Sequence, residues 1–137
     1  HYHLWLDRFQ SPFHRLYSLH VREKIDLDRL HNGALLFLGT HDFAAFANEA
    51  HTGVASYDSI RTVRRLDLVP QEGGIRIEIE ADGFLYKMVR NIIGTLIDCA
   101  RGKLPVEEIP QIFESKDRRK AGKAAPPHGL FLHRVIY

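Results

Sequence analysis

A row of polar residues runs along one side of an otherwise apolar segment in the second half of the chain. Steps of three, four and seven residues place its members on one helical face: Lys87, Arg90, Asn91, Gly94, Asp98 and Arg101. Arg90 lies at the centre of this row. A guanidinium among apolar neighbours can hold a carboxylate through two parallel hydrogen bonds. By pattern alone a purely structural ion pair is the commoner role, so both roles stay open.

The helix that positions this row is predicted from its apolar side. Helical spacing relates Leu85, Met88, Val89, Ile92, Ile93, Leu96, Ile97 and Ala100. Gly94 follows Arg90 by one turn, and its missing side chain would let another backbone or a ligand approach. The helix is expected to end at Arg101-Gly102. Phe84, just before it, is expected in the core.

The rest of the chain predicts strands in runs with helices between them. Strands are predicted over residues 1–6, 16–21, 60–69, 75–79 and 130–137. Further helices are predicted from the N-cap Asp26 to a stop at Gly39 and over residues 106–113, with a compact loop or short helix over residues 39–46. This order predicts an α+β fold, in which a mostly antiparallel sheet is covered by helices on one face.

Size and composition fit one globular domain, residues 1–137. The chain has 137 residues, of which 45% are hydrophobic and 26% charged. No apolar run is long enough to cross a bilayer and no signal pattern is present, so no membrane contact is expected. The single Cys99 favours a reducing compartment. The chain opens on His1 inside a predicted strand, so we expect it to be a piece of a longer protein.

Basic residues are concentrated in two places, although the net charge is only +2. One cluster holds Arg61, Arg64 and Arg65, and the other holds Lys116, Arg118, Arg119, Lys120 and Lys123. Either cluster could contact phosphates or form a solvated face.

The nine histidines do not make a metal site at the level of sequence. His1 and His3 share one strand face, but no third ligand follows at a recognisable spacing. Asp42, after His41, is better explained as the cap of a short helix over residues 43–46. We therefore predict no metal site.

Four segments resemble, in order, motifs of the TruA-type tRNA pseudouridine synthases. The segment Asp82-Gly-Phe-Leu-Tyr-Lys-Met-Val-Arg-Asn-Ile-Ile-Gly resembles the arginine-bearing motif of that family. The other three are Gly39-Thr-His-Asp-Phe-Ala-Ala-Phe, Lys116-Asp-Arg and Ala125-Pro-Pro-His-Gly-Leu-Phe-Leu. Together they span nearly the whole chain.

The resemblance implies half of a pseudouridine-synthase catalytic fold and the isomerisation of uridine to pseudouridine in tRNA, at positions 38 to 40 of the anticodon arm. It implies no cofactor, a homodimer, and a location in the cytoplasm, or in an organelle if a transit peptide was lost with the missing half. The family's catalytic aspartate lies in an Arg-Thr-Asp-x-Gly-Val-His-type loop, which is absent from these residues. This chain therefore resembles the carboxy-terminal half of the enzyme, and alone it is expected to be inactive.

Residue roles follow from the resemblance position by position. Arg90 corresponds to the arginine that pairs with the aspartate, and Leu130 to an apolar wall against the target base. Tyr2 corresponds to the active-site tyrosine, unless a shift of two residues places that tyrosine outside this chain.

Two groups of RNA contacts are predicted from the position of charged and polar side chains. Lys87 and Asn91 flank Arg90 and are candidates for the backbone of a flipped nucleotide, although a merely solvated Lys87 is equally open. Arg61, Arg64 and Arg65 are candidates for phosphates further away. The alternative function is a non-catalytic RNA-binding or dimerisation module.

Overall fold

The computed structural model describes residues 2–5, 19–20, 25–48, 58–71, 74–127 and 130. Its strands are β1 (Tyr2–Trp5), β2 (Leu19–His20), β3 (Gly39–Asp42), β4 (Ile60–Gln71) and β5 (Gly74–Ala81). Its α-helices are α1 (Leu27–Leu35), α2 (Met88–Ala100) and α3 (Ile109–Ser115), and short 3-10 helices span Ala44–Phe46, Val106–Glu108 and Arg118–Lys120.

The five strands form one sheet in the order β2-β1-β5-β4-β3. Its interior pairs are antiparallel, with β4 against β5 as the longest, and only the edge pair β1–β2 is parallel. The register shifts between Val63 and Arg65, where β4 carries an irregularity. The predicted α+β class and mostly antiparallel sheet are confirmed.

The helices cover one face of this sheet in the described part of the chain. The inner face contributes Val63, Leu66, Ile75 and Ile77 to the same buried core as Ile92, Ile93 and Leu96 of α2. The outer face carries charged side chains instead. There Arg65 forms ion pairs with Glu78 at 2.8 Å and Asp67 at 2.9 Å. The alternation predicted for β5 therefore separates a core side from a charged side.

Helix α1 begins as predicted but ends earlier. The Asp26 carboxylate accepts hydrogen bonds from the backbone N–H groups of Asp28 and Arg29, which is an N-cap. The last helical residue is Leu35, and Gly39 with φ +95° begins β3 rather than stopping the helix. β3 was not predicted because its partner β4 lies about twenty residues further on, and pairing across that distance leaves no local pattern. The 3-10 helix Ala44–Phe46 confirms the short-helix part of the prediction.

Helix α2 buries the apolar side that its sequence predicted. Met88, Ile92, Ile93 and Leu96 are fully buried, and α2 packs against α1. Cys99 is buried as well, and this burial raises the pKa of its thiol to about 11. The thiol is therefore protonated at neutral pH.

Three predicted strands extend beyond the described residues. The strand predicted over residues 1–6 is described at Tyr2–Trp5. The strand predicted over residues 16–21 is described only at Leu19–His20, and of residues 130–137 only Leu130 is described. In the described part of the chain, no helix combines the length and the apolar character that crossing a bilayer requires.

Asp42 fastens the start of the 3-10 helix to its surroundings. Its carboxylate accepts hydrogen bonds from the Ala44 N–H and the Ser59 hydroxyl, and Lys116 Nζ lies 3.6 Å away. The Ser59 hydrogen bond is the main cause that lowers the pKa of Asp42, partly opposed by burial, with Ala44 and Lys116 adding to it. Asp42 thus binds the first N–H of the 3-10 helix, as the predicted cap would, but from one residue before the N-cap position, which Phe43 occupies.

Asp42→Asn should therefore lower the free energy of unfolding by about 0.5–1.5 kcal/mol at neutral pH, because it removes a charged hydrogen-bond acceptor. Because the pKa of Asp42 is lower in the folded protein than its value near 3.8 in the unfolded chain, the ionised carboxylate stabilises the folded protein above that pH. This contribution disappears as the pH falls through the lowered pKa. Urea denaturation at a series of pH values should show the two proteins converging in acid. The exposed Glu114→Gln is the control, and an equal Asp42→Asn effect at every pH would contradict the prediction.

Candidate active site

Helix α2 begins one residue after Lys87, so this first member of the polar row lies before the helix and not within it. Lys87 precedes its first residue with φ 59° and ψ 14°, in the left-handed region that residues other than glycine seldom adopt. Its ammonium lies 5.5 Å from the centre of the Tyr86 ring, within reach of a cation–π contact. The turn thus presents Tyr86 and Lys87 together at the start of α2.

Arg90 is held by a reciprocal pair of hydrogen bonds to one residue. Its Nε donates to the Ala125 carbonyl oxygen at 2.8 Å, and the Ala125 N–H donates to the Arg90 carbonyl oxygen at 2.9 Å. The side chain is half-buried. These bonds fix the inner edge of the guanidinium and leave the two terminal nitrogens, Nη1 and Nη2, without a hydrogen-bond partner among the described residues.

No described carboxylate lies within ion-pair distance of Arg90, although the chain forms several ion pairs elsewhere. Burial makes an unpaired cation costly, so a site of this kind favours an anion. The Nη1–Nη2 end of the guanidinium has the geometry to hold a carboxylate bidentately. Nη1 and Nη2 of Arg90 can therefore bind an anion, and the described residues do not supply one.

Gly94 lets a second segment lie directly on α2. A Cβ at this position would overlap the Lys123 carbonyl oxygen and would stand 3.2 Å from the Ala125 nitrogen. The close backbone approach that the sequence suggested at Gly94 is confirmed. We call residues 121–125 the bracing segment, because it runs along α2 and ends at the residue that holds Arg90.

Asn91 is placed differently from the sequence prediction. It is fully buried, its amide nitrogen donates to the Phe46 carbonyl at 2.8 Å and to Asn48 Oδ1 at 2.9 Å, and its amide oxygen accepts from Arg118 at 2.8 Å. A side chain without solvent access and with both amide groups bonded to protein is unavailable to RNA in this structure. We therefore place Asn91 in the support of the site and not among its RNA contacts.

Arg118 and Asn48 are site-supporting residues that the sequence reasoning missed. Arg118 was grouped with the basic cluster of residues 116–123, yet its side chain is half-buried and points to Asn91. The neighbouring Arg119 behaves as a surface residue, with its side chain 90% exposed and an ion pair to Asp117 at 3.1 Å. The Lys116-Asp-Arg motif was a signal for Arg118, whereas no sequence signal distinguished Asn48.

Two aromatic side chains are exposed just before α2. Phe84 is 43% exposed and Tyr86 is 51% exposed. The prediction that Phe84 belongs to the core is wrong, because residues 82–87 form a turn to which the helical spacing of α2 does not extend. Asp82 ties this turn to β4 by accepting a hydrogen bond from the Thr62 N–H at 2.9 Å.

The three arginines of β4 have three different environments. Arg61 is half-buried and donates to the carbonyl oxygens of Asp58 and Ile60 at 2.7 and 2.8 Å. Arg64 is exposed at the sheet irregularity. Arg65 is neutralised by carboxylates, chiefly Glu78, whose hydrogen bond raises the pKa of Arg65. Arg64 is therefore the arginine of this cluster best placed for a phosphate.

Tyr2 and Leu130 are described less fully. Tyr2 lies in β1 at the register position opposite Ile77 of β5. Leu130 is half-buried against the core, and its N–H donates to the Pro127 carbonyl at 3.0 Å. Leu130 follows the bracing segment by five residues, so it belongs to the same stretch of chain that holds Arg90.

The described residues contain no group of three or more His, Cys, Asp and Glu side chains that could hold a metal ion.

Comparison with known proteins matches these features to a family. The sequence profile described as tRNA pseudouridine synthase matches residues 34–137, which include α2, Arg118 and the bracing segment. The chain belongs to the tRNA pseudouridine synthase family. The fold prediction and the family resemblance are both confirmed.

Curated relatives agree with this assignment. The chain is 58% identical over 137 residues to tRNA pseudouridine synthase A 1 of Protochlamydia amoebophila (strain UWE25), covering 100% of this chain and 54% of that protein. It is 44% identical over 137 residues to tRNA pseudouridine synthase A of Chlamydia muridarum (strain MoPn / Nigg), covering 100% of this chain and 50% of the relative. The corresponding Acetivibrio thermocellus protein is 41% identical over 136 residues, with 99% and 54% covered. This pseudouridine-synthase chain thus spans about half the length of these relatives.

Gly94→Ala should lower the free energy of unfolding by about 1–3 kcal/mol, because the added methyl group overlaps backbone that cannot rotate away. The higher helix propensity of alanine alone would instead raise the free energy of unfolding by up to about 1 kcal/mol. Gly33→Ala in α1 is the matched control, since its Cβ would meet the end of the Leu96 side chain at 2.9 Å, which can rearrange. Urea denaturation followed by circular dichroism measures both. Equal effects of the two variants would show that the bracing segment is not packed as described.

Proposed function

We propose that this chain is the part of a tRNA pseudouridine synthase that supplies the arginine and base-contacting side of its active site. The observation that carries the proposal is Arg90, which is anchored through Nε to Ala125 while Nη1 and Nη2 face no described carboxylate. Family membership supplies the reaction class. The substrate would be uridine in the anticodon stem-loop of tRNA, at positions 38 to 40.

The proposed reaction is an isomerisation without a change of redox state. The bond between uracil N1 and ribose C1′ breaks, the base turns over, and uracil C5 forms a new bond to C1′. The proton on C5 is then lost and N1 gains one, so the atoms balance without a co-reactant. Arg90 would hold the catalytic aspartate, expected from sequence upstream of this chain, and would keep it ionised by lowering its pKa. Tyr2 would stack on the uracil or act as a base, and Leu130 would form an apolar wall against it.

A separate surface beside Arg90 suits RNA. The exposed Tyr86 ring lies 5.5 Å from the Lys87 ammonium, and Phe84, two residues earlier, is also exposed. Aromatic faces stack on unpaired bases, and a neighbouring cation can contact their phosphates. We propose this surface for nucleotides flanking the target uridine, with Arg64 as a more distant phosphate contact. Homodimer formation and a cytoplasmic location remain predictions.

The first test is tritium release from 5-tritiated uridine in an anticodon-arm transcript, because the C5 hydrogen leaves when pseudouridine forms. The chain rejoined to its upstream sequence should release tritium, and the isolated chain should not. Arg90→Ala in the rejoined protein should reduce the rate by at least about 10²–10³-fold, while tRNA binding stays largely intact. Arg119→Ala, an exposed arginine outside the site, is the matched control.

Each other outcome has a definite meaning. A folded, RNA-binding rejoined protein that releases no tritium would identify a non-catalytic binding module, and the enzyme proposal would fail. If Arg90→Ala lost RNA binding and turnover equally, Arg90 would be an RNA contact and not the partner of an aspartate.

The aromatic surface makes a separate prediction. Tyr86→Leu should weaken binding of the anticodon-arm RNA about fivefold or more, because it keeps the apolar bulk and loses the stacking face. The dependence of log Kd on log salt concentration should keep its slope. Lys87→Gln should instead reduce that slope by about one phosphate contact. Unchanged RNA affinity in Tyr86→Leu, with reduced thermal stability of the rejoined protein, would show that protein and not RNA covers this surface.

A further inference from the structure

Arg118 is a half-buried cation that lacks a carboxylate partner among the described residues. Its Nη2 donates to Asn91 Oδ1 at 2.8 Å, its Nη1 to the Gly122 carbonyl at 2.8 Å, and its Nε lies 3.4 Å from Asn48 Oδ1. Burial lowers the pKa of Arg118. The three oxygen atoms that the guanidinium contacts are all uncharged, and they belong to three separate parts of the chain.

These contacts fix one end of the bracing segment to α2. Arg118 holds the Gly122 carbonyl, while the Gly122 N–H donates to Thr95 Oγ1 at 2.9 Å. Thr95 in turn donates to the Asn91 carbonyl at 2.8 Å, inside the same helix. Both backbone groups of Gly122 are thus bonded within this network.

The other end of the bracing segment is the residue that holds Arg90. Between the two ends, the Lys123 carbonyl packs against Gly94, where no side chain intervenes. Ala125 then exchanges two hydrogen bonds with Arg90. Gly122 lies three residues before Ala125, so a displacement of Gly122 would also move Ala125. The Ala125 carbonyl oxygen accepts the hydrogen bond from Arg90 Nε and so sets the orientation of the guanidinium.

We propose that Arg118 is a positioning residue, which orients the Arg90 guanidinium through the bracing segment. This inference rests on the proposed function. It separates Arg118 from the exposed Arg119 and from the rest of the basic cluster, and it gives the Lys116-Asp-Arg motif a role that does not involve RNA. Arginine suits this place because one planar fork reaches three acceptors, whereas a lysine ammonium on a flexible stem would not hold all three in fixed directions.

The test uses the rejoined protein with Arg118→Lys and, as the matched control, Arg119→Lys. Arg118→Lys should lower kcat about 10–100-fold with less than about a threefold change in tRNA Kd, since the loss is in positioning and not in substrate binding. The acidic limb of the kcat–pH profile should move to higher pH, because a misdirected Arg90 lowers the pKa of the opposing aspartate less. Arg119→Lys should change none of these.

A second pair of variants reaches the same segment from α2. Thr95→Val removes the hydroxyl that binds Gly122 and keeps the shape of the side chain, and Thr95→Ser keeps the hydroxyl. Thr95→Val should reproduce the kcat loss and Thr95→Ser should retain most of the activity. The effects of Thr95→Val and Arg118→Lys should be less than additive, because both release Gly122.

A readout that needs no turnover distinguishes this inference from the proposed function. In protein labelled with ¹⁵N-arginine, the Arg90 Nε–H signal, assigned by its loss in Arg90→Lys, should exchange slowly because it donates to Ala125. Arg118→Lys should accelerate that exchange and Arg119→Lys should not. An inactive rejoined protein with this NMR pattern would overturn the proposed function and leave the positioning role intact.

Three results would overturn the positioning role. One is a lower melting temperature with kcat, pH profile and Arg90 exchange unchanged, which would make Arg118 only a stabilising residue. The second is a higher tRNA Kd with a shallower salt dependence, which would make it a phosphate contact. The third is wild-type behaviour of both Arg118→Lys and Thr95→Val.

Discussion

The reciprocal hydrogen bonds between Arg90 and Ala125 are the constraint on which the rest of the site depends. They join helix α2 to the irregular bracing segment at Ala125, three residues beyond the point where Arg118 and Thr95 bind Gly122. The join is possible only because Gly94 leaves room for the segment to lie on α2. Arg90 uses its Nε for this contact, and its Nη1 and Nη2 stay available for an anion. The hydrogen bonds of Arg90 to Ala125 therefore do not compete with the role proposed for its terminal nitrogens, since these bonds fix the direction in which those nitrogens are presented.

Much of the fold could be predicted from sequence because the relevant signals are local. The cap at Asp26, the alternation in β5 and the apolar side of α2 each depend on neighbours a few residues away. β3 could not be predicted this way, since Gly39–Asp42 becomes a strand by pairing with β4, and the Thr40 and Thr62 hydroxyls across that pair lie 2.7 Å apart. Strand formation there is a property of the sheet and not of the segment.

The site shows the same division between local and distant signals. Arg90 and Gly94 were singled out from spacing and from a motif, which are both local signals. Asn91 was misjudged because polar residues usually face solvent, and its acceptor and donor groups, Phe46 and Arg118, lie far away in sequence. Arg118 was misjudged for the converse reason, since adjacent cations suggest a shared surface. The order of charged residues in the sequence does not show which arginine of a basic cluster has a buried side chain.

The burial of Cys99 has a practical consequence for the study of α2. It is the only cysteine of the chain and lies in the helix that carries Arg90, and burial raises the pKa of its thiol to about 11. Thiol reagents attack the thiolate, so the closed helix reacts slowly and an opened one reacts at the rate of a free cysteine. The ratio of the two rates gives the free energy of opening α2 when opening and closing are faster than labelling. The chain thus carries its own reactive group for measuring the local unfolding of α2, and no cysteine has to be introduced by substitution.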